Sequence, residues 1–572
     1  MKLRAALELA AHGLSISLLL GAFAVALTPC GGASSEGGQQ GSAGRGAPGD
    51  GRGRARGVAM RIHCEAEGRP VSPWIYGIGA RPGGEGSVPW HLGASARRWG
   101  GNHTSRYNWE LGDAWNAGKD WYFENVDYDG LPGPAHRRFI EAGRAHGLAT
   151  VLTVPMIGWV AKDSTSSGFP VSVFGPQRAV DPNHPDRGNG VTVSGALINP
   201  GSPERTSVAM PAAGIGRWVQ DERARDGAGE RGVLAYILDN EPTLWSDTHR
   251  DVHPNPLSYD ELLARTLEYA SAIRAADPGA LIAGPAMWGW TAYFYSGVDT
   301  AAYPSHPDQD AHGGVPLIPW WLRGIAREER RTGTRLLDLL DVHFYPQGAN
   351  LGIGTRGGTD PGTAARRLRS TRALWDPTYE DESWIGEAVE LVPRLERWIS
   401  AERPGLGISI GEYNFGAEGH MSGGLAVAEV LGRLGQLGVA SAYYWDFPAP
   451  ESPAFWAFRA FRNFDGQGAM FLGESVPADS SSPLASIFAS RDRANGQMVL
   501  VLLGLDPRSD TDVLIDARSC GRVTRARSFV YAEGLAGFVP AEAPHGGDGG
   551  LLTSSLPAYS MMVLDLQMQG TP

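Results

Sequence analysis

Two short stretches of this 572-residue chain put carboxylates where carboxylates are scarce. In "YILDNEPTLW", residues 236–245, apolar positions run straight into Asp239, Asn240, Glu241 and Pro242. In "GISIGEYN", starting at Gly407, a second apolar run ends in Glu412, Tyr413 and Asn414. A buried strand seldom ends in unpartnered acids, because a charge taken out of water needs a partner or a task. Either glutamate alone reads equally well as a surface residue or as half of a salt bridge. As a pair they match what hydrolysis of a glycosidic bond requires. One carboxyl protonates the leaving oxygen, and the other attacks the anomeric carbon or activates water. Arg98 and Asn102 in "RRWGGN", and His343 and Tyr345 in "VHFYP", end two further apolar runs with polar groups. His343 reads equally as a satisfied core histidine.

A rigid frame must bring these groups together. Eight strand-like runs alternate with helical patterns: "WIYGIG" from Trp74, "ARRWGG" from Ala96, "ATVLTVP" from Ala149, "LAYILDN" from Leu234, "ALIAGPA" from Ala280, "LDVHFYP" from Leu340, "GISIGEYN" from Gly407 and "ASAYYWDF" from Ala440. Residues 258–279 illustrate the helices, with Ser258 as cap and Glu261 three residues on, a capping-box pattern. Eight such units predict an α/β fold, a (β/α)8 TIM barrel over residues 73–475, with functional groups at the C-terminal ends of its strands. An open doubly wound sheet leads one to expect a Gly-rich nucleotide turn after the first strand, and none has the right spacing. Residues 160–232 form a loop-rich insertion after strand three, where it would shape a cleft. Both chain ends alternate with the period of half-buried strands, at 58–67 and in four runs at 498–506, 511–517, 522–533 and 558–567. They predict a second, smaller β-sandwich domain built from residues 58–72 and 480–568.

The ordered set "RWGGNHTSRYNWE", "TVPMIGWVAKD", "LDNEPTLWSDTH", "VHFYPQ", "RSTRALWDPTYEDESWIGE" and "GEYNFG" resembles glycoside hydrolase family 44, within the clan A hydrolases, across residues 58–568. The resemblance implies a barrel paired with a β-sandwich and internal, retaining cleavage of β-1,4-glucans, xyloglucan included. It implies Glu241 as acid/base, expected to be raised in pKa by burial and by its neighbour, and Glu412 as ionised nucleophile. Asn240 would contact the sugar 2-hydroxyl, and Tyr345 and Arg98 would hold Glu412, a role open to His343 also. Trp159, Trp288 and Trp445 are named as sugar platforms, each with a core position as the equal alternative. Trp245 packs under the acid/base or joins the platforms, and Tyr107, Asn108 and Trp109 line the cleft or brace it. The reaction needs no cofactor. The resemblance extends to a structural calcium, but no EF-hand-like loop is present and the metal ligands stay unknown.

The formal charge of −12, with no basic run in the body of the chain, excludes nucleic acid as the expected partner and leaves polysaccharide. There is no zinc-type cysteine spacing and no phosphate-cradling loop. Lys2 and Arg4 followed by the apolar residues 14–27 read as an export signal, and "LTPC" ending at Cys30 resembles a lipobox. The expectation is a secreted or envelope-anchored monomer with lipid on Cys30; Pro29 departs from the usual small residue, and simple secretion is the alternative. Residues 31–57 form a flexible tether. Cys64 and Cys520 either pair, as export favours, or leave Cys64 as a buried thiol. The rival functions are a xylanase or mannanase of the same clan and a non-catalytic surface carbohydrate binder.

Overall fold

The computed structural model describes residues 57–80, 88–226, 231–546 and 549–570. The export segment, Cys30 and residues 31–56 of the tether lie outside them. Eight strands close into a barrel in chain order: β1 Gly77–Ala80, β2 Ala96–Trp99, β3 Ala149–Val154, β4 Ala235–Leu238, β5 Leu281–Met287, β6 Leu339–Phe344, β7 Gly407–Tyr413 and β8 Ser441–Tyr444. Every neighbouring pair is parallel. Among the described residues an α-helix follows each of β2 to β8, while β1 leads to a 3-10 turn, Trp90–Leu92. The barrel floor is one apolar cluster that includes Ala96, Val151, Ala235, Ile237, Ala283, Leu339 and Tyr443. The two-residue period of a strand carries the same inward faces from Ala96 to Arg98 and from Leu339 through Asp341 to His343. An apolar floor thus gives way to a polar upper layer on the same strands.

Two local readings change. The run at Trp74 is not all strand: Pro73–Tyr76 is a 3-10 turn, with Ser72 accepting the Trp74 N–H at 3.3 Å, so β1 starts at Gly77. Proline at the first turn position and a serine cap favour the turn over extension. The helix Tyr259–Ala276 is capped by Ser258, which accepts the Glu261 N–H at 3.2 Å. The return half of the capping box is missing. The Glu261 carboxylate turns instead to the His253 ring at 2.9 Å and the Arg265 guanidinium at 2.8 Å.

The second domain packs a five-stranded sheet on a seven-stranded one. Val58–Ile62 lies in the smaller sheet, parallel to Thr511–Asp516 and antiparallel to Ala478–Ser480. Arg69–Pro70 joins the larger sheet through Glu474–Val476. Both chain ends therefore build this domain. Strands Ala485–Asp492 and Leu551–Leu556 add to those read from sequence. Cys64 and Cys520 are disulfide-bonded, with Cα atoms 5.0 Å apart, inside the sandwich core. The largely buried helix Met421–Leu437 contacts strands of the larger sheet, and a continuous core joins barrel and sandwich.

Candidate active site

At the end of β4 the backbone takes left-handed φ values at Asp239 (62°) and Glu241 (47°). Each costs a non-glycine residue about 1–3 kcal/mol and persists only where surrounding contacts fix it. The Glu241 N–H donates to the Ala286 carbonyl, near the end of β5, at 3.0 Å. β7 shifts register just before Glu412, its pairing with β6 passing from Ile410 to Glu412 over Gly411, and Glu412 is 5 % exposed.

The guanidinium of Arg98, on β2, joins the two strand ends. Its Nη1 donates to Glu412 Oε1 at 2.5 Å and its Nη2 to Asn240 Oδ1 at 3.0 Å. Tyr345 Oη donates to the other oxygen of Glu412 at 2.6 Å. His343 Nδ1 lies 2.9 Å from Glu241 Oε1, hydrogen-bonded to it, and 3.6 Å from Glu412 Oε2. Asn240 Nδ2 donates to Asn102 Oδ1 at 3.1 Å, and Asn102 Nδ2 to Asp120 at 3.2 Å. Arginine only donates, so it fixes which way the Asn240 amide faces. One oxygen of Glu241, one ring nitrogen of His343 and one oxygen of Glu412 all lie within 4.8 Å of one another.

The charges follow from this packing. Burial works to raise the Glu412 carboxyl, but the charges of His343 and Arg98 and the bonds from Tyr345 and Arg98 overcome it and hold the group below its usual range. Burial works to lower His343; the Glu412 charge and the bond to Glu241 outweigh it, and the imidazole is raised. Burial, with the Glu412 anion beside it, holds Tyr345 well above the ordinary phenol value, so it stays a donor. The site is a buried, firmly held carboxylate facing a second, more exposed carboxyl across a protonatable histidine.

Residues 114–348 match the model of glycoside hydrolase family 44. The chain is similar to CelM2, a bifunctional glucanase-xylanase from a metagenome library: 33 % identity over 90 % of this chain and 99 % of that one, with a TM-score of 0.83. A Paenibacillus polymyxa xyloglucanase of family 44, solved with xyloglucan, is 27 % identical over 90 % of this chain and all of its own (100 %), with a TM-score of 0.74. Endoglucanase A of Paenibacillus lautus is 32 % identical over 474 residues, 78 % of this chain. The chain belongs to glycoside hydrolase family 44. It spans 63 % of the length of that Paenibacillus lautus endoglucanase.

Within this family-44 site the structure brings Glu241, Glu412, Arg98, Asn240, Asn102, His343 and Tyr345 into one network. Trp445, half-buried, follows β8 beside the Glu412 strand, its N–H on the Tyr413 carbonyl at 2.9 Å. Its ring lies against Gly79, where a Cβ would come within 2.6 Å of Cε3. Trp159 and Trp288 are also half-buried, after β3 and β5. Trp245 is fully buried under the Glu241 turn, with its Nε1 on Asp239 at 3.2 Å. Tyr107 and Asn108 are buried braces and Trp109 is half-buried.

Two acids of the site were not assigned from sequence. Asp239 is buried beneath the Glu241 turn, against Trp245. Asp341 lies under the pair on β6, accepts from Ser409 Oγ and keeps Oδ1 without a hydrogen-bond partner. Burial holds its carboxyl up, against the charges of His343 and Arg98. Gly411 makes room for it, since a Cβ there would sit 2.5 Å from Asp341 Oδ1. The available signal was the spacing, since a residue two before His343 shares its face.

For calcium, the described residues offer two clusters of three acid or histidine groups. One is Glu241, His343 and Glu412, whose Glu412 oxygens are taken by Arg98 and Tyr345. The other is Glu124, Asp181 and His184. Here Arg187 already bonds Glu124, and His184 Nδ1 sits 2.6 Å from Asp181. Calcium takes six to eight oxygen ligands, and an imidazole with a competing guanidinium does not fit it. Neither cluster suits that ion.

Proposed function

We propose that this protein is a retaining, endo-acting glycoside hydrolase that cleaves β-1,4-glucan backbones, soluble cellulose-type glucans and xyloglucan, by double displacement. The observation that carries the reading is the approach of one Glu241 oxygen to one Glu412 oxygen within 4.8 Å, with Glu412 held ionised. Retention calls for carboxyl groups about 5–5.5 Å apart, whereas inversion needs about 6.5–9.5 Å to admit a water. In the first step Glu412 forms an ester bond to the anomeric carbon while Glu241 gives its proton to the departing glycosidic oxygen. In the second, Glu241 takes a proton from water, the water oxygen bonds to the anomeric carbon, and Glu412 leaves as carboxylate. Arg98 and Tyr345 keep the nucleophile charged and aimed. Asn240, oriented by Arg98 and with one N–H on Asn102, keeps a second N–H for the sugar 2-hydroxyl, where a bond that tightens in the transition state accelerates the step. A pure binding protein has no use for a nucleophile held this way. Similarity to a glucanase-xylanase makes xylan the second substrate to assay.

The test begins with sugar release from soluble glucan, xyloglucan, xylan and mannan. Glu412→Gln should abolish turnover, because the amide is a poor nucleophile and loses the charge that stabilises the oxocarbenium-like state. Glu241→Ala should be slow on polysaccharide and much less impaired in ester formation from an aryl glycoside with a good leaving group. Azide should then release a β-glycosyl azide. An α-configured first product or azide adduct would show inversion and overturn the nucleophile assignment.

A further inference from the structure

Asp239 is fully buried and no cation is among its hydrogen-bond partners. Its two oxygens accept from five donors instead. Oδ1 takes Ser105 Oγ at 2.5 Å, the Asn240 N–H at 2.8 Å and Trp245 Nε1 at 3.2 Å. Oδ2 takes the Met156 N–H and, at 3.0 Å, the Ile157 N–H. These donors come from four places: the turn Asn102–Arg106 after β2, the segment after β3, the Asn240 backbone and the helix Trp245–Thr248 beyond Glu241. A desolvated carboxylate is tolerated where charge-assisted bonds replace its water. Here those bonds cross the two left-handed residues that aim Glu241.

We propose that Asp239 is a positioning residue for the acid/base: its carboxylate ties the loops after β2 and β3 and the Trp245 ring to the turn that presents Glu241 to the leaving oxygen. The inference rests on the proposed reading of Glu241 as proton donor. Glu241's own hydrogen bonds are few: its N–H on the Ala286 carbonyl, its carbonyl accepting from the Leu244 N–H at 2.9 Å, and its carboxyl on His343. The partner set also distinguishes aspartate from asparagine. Four of the five donors are N–H groups that cannot reverse; only the Ser105 hydroxyl can turn to accept. Whichever way an amide faced, its NH2 would meet two of those N–H donors, and the turn would have to shift. A misplacement of about 1 Å at a reacting group costs roughly 10²-fold in rate.

The experiment measures kcat and KM for Asp239→Asn on soluble glucan and on aryl β-cello-oligosaccharides whose leaving groups range from dinitrophenol to unsubstituted phenol. Misaimed proton donation should lower kcat on glucan and on the phenyl substrate by roughly 10²-fold. For the dinitrophenyl substrate, which leaves without a proton, kcat/KM should fall only a few-fold, while kcat and KM fall together because the second step also needs Glu241 as base. A merely structural role would lower all substrates alike, and that result overturns the proposal; so does an unchanged kcat. Ser105→Ala and Trp245→Phe remove one donor each and should show the same leaving-group dependence in weaker form, which decides the matter should Asp239→Asn not fold. Glu241→Gln is the control. If it shows no leaving-group dependence, the acid/base reading itself fails; if it does and the Asp239, Ser105 and Trp245 variants do not, only the positioning role fails.

Discussion

Removing one hydroxyl, in Tyr345→Phe, tests the electrostatics of the site most directly. Tyr345 Oη lies 2.6 Å from Glu412 Oε2, and Glu412 is only 5 % exposed, so water has little room to replace the lost donor. A hydrogen bond to a buried charged group contributes about 1.5–3 kcal/mol. That energy favours ionised over protonated Glu412, alongside His343 and Arg98, which remain in the variant. The nucleophile works as carboxylate, so activity is present above its pKa and lost as pH falls through it. Losing the bond raises that pKa, and the acid limb of kcat/KM should move to higher pH. At the acid end of the profile the variant should be about 10- to 150-fold slower than the parent, the factor corresponding to 1.5–3 kcal/mol. The gap should narrow toward neutral pH. The assay is a pH series of kcat/KM on an aryl cello-oligosaccharide with a good leaving group, which removes demand on the acid. An acid limb that stays in place while activity falls uniformly would show that Tyr345 only aligns Glu412, and would refute the electrostatic reasoning.

Glu474 holds Arg491 at 2.7 Å and Arg493 at 3.1 Å, and these bonds lower its carboxyl from 4.5 to about 2. A depressed carboxylate stabilises the fold above its unfolded pKa and loses that contribution as pH falls through the folded one. Glu474→Gln should therefore lower stability by about 2 kcal/mol at pH 7, allowing for partial exposure. Denaturant melts should show the gap closing between pH 4.5 and about 2; a gap unchanged at low pH would contradict it. Replacing Cys64 and Cys520 by serine opens a loop spanning 456 positions and should cost about 2–5 kcal/mol in unfolding free energy, with kcat of the folded enzyme nearly unchanged. Equal melts for parent and variant would count against a stabilising bridge. We further propose that Cys30 carries a lipid anchor; Cys30→Ala should then leave the membrane fraction, and unchanged fractionation would defeat the idea.

Much of the architecture follows from local patterns. The eight runs that form β1 to β8 are legible because buried parallel strands are short apolar stretches bounded by helices, a signal carried within about ten residues. The missed pieces are local as well. The turn at Pro73 mimicked a strand because its residues are equally apolar, and the strand Ala485–Asp492 was hidden by its serines and charged end. Glu241 stood out because a charge at the end of an apolar run is improbable without a task.

The sequence by itself determined the element order, the barrel class and the two glutamates at strand ends, since each depends on residue type and on the two-residue and 3.6-residue periods. Only the tertiary structure decided how these groups act on one another. Arg98 and Glu412 are 314 positions apart, and barrel closure alone puts them at 2.5 Å. The same closure brings His343 between the carboxyls, sinks Asp341 beneath them and gives Asp239 three of its five donors, from Ser105, Met156 and Ile157. A carboxylate's charge state depends on burial and on neighbours supplied by distant strands. No local pattern encodes that environment, so in "DNE" the sequence shows three polar residues and the fold assigns each its work.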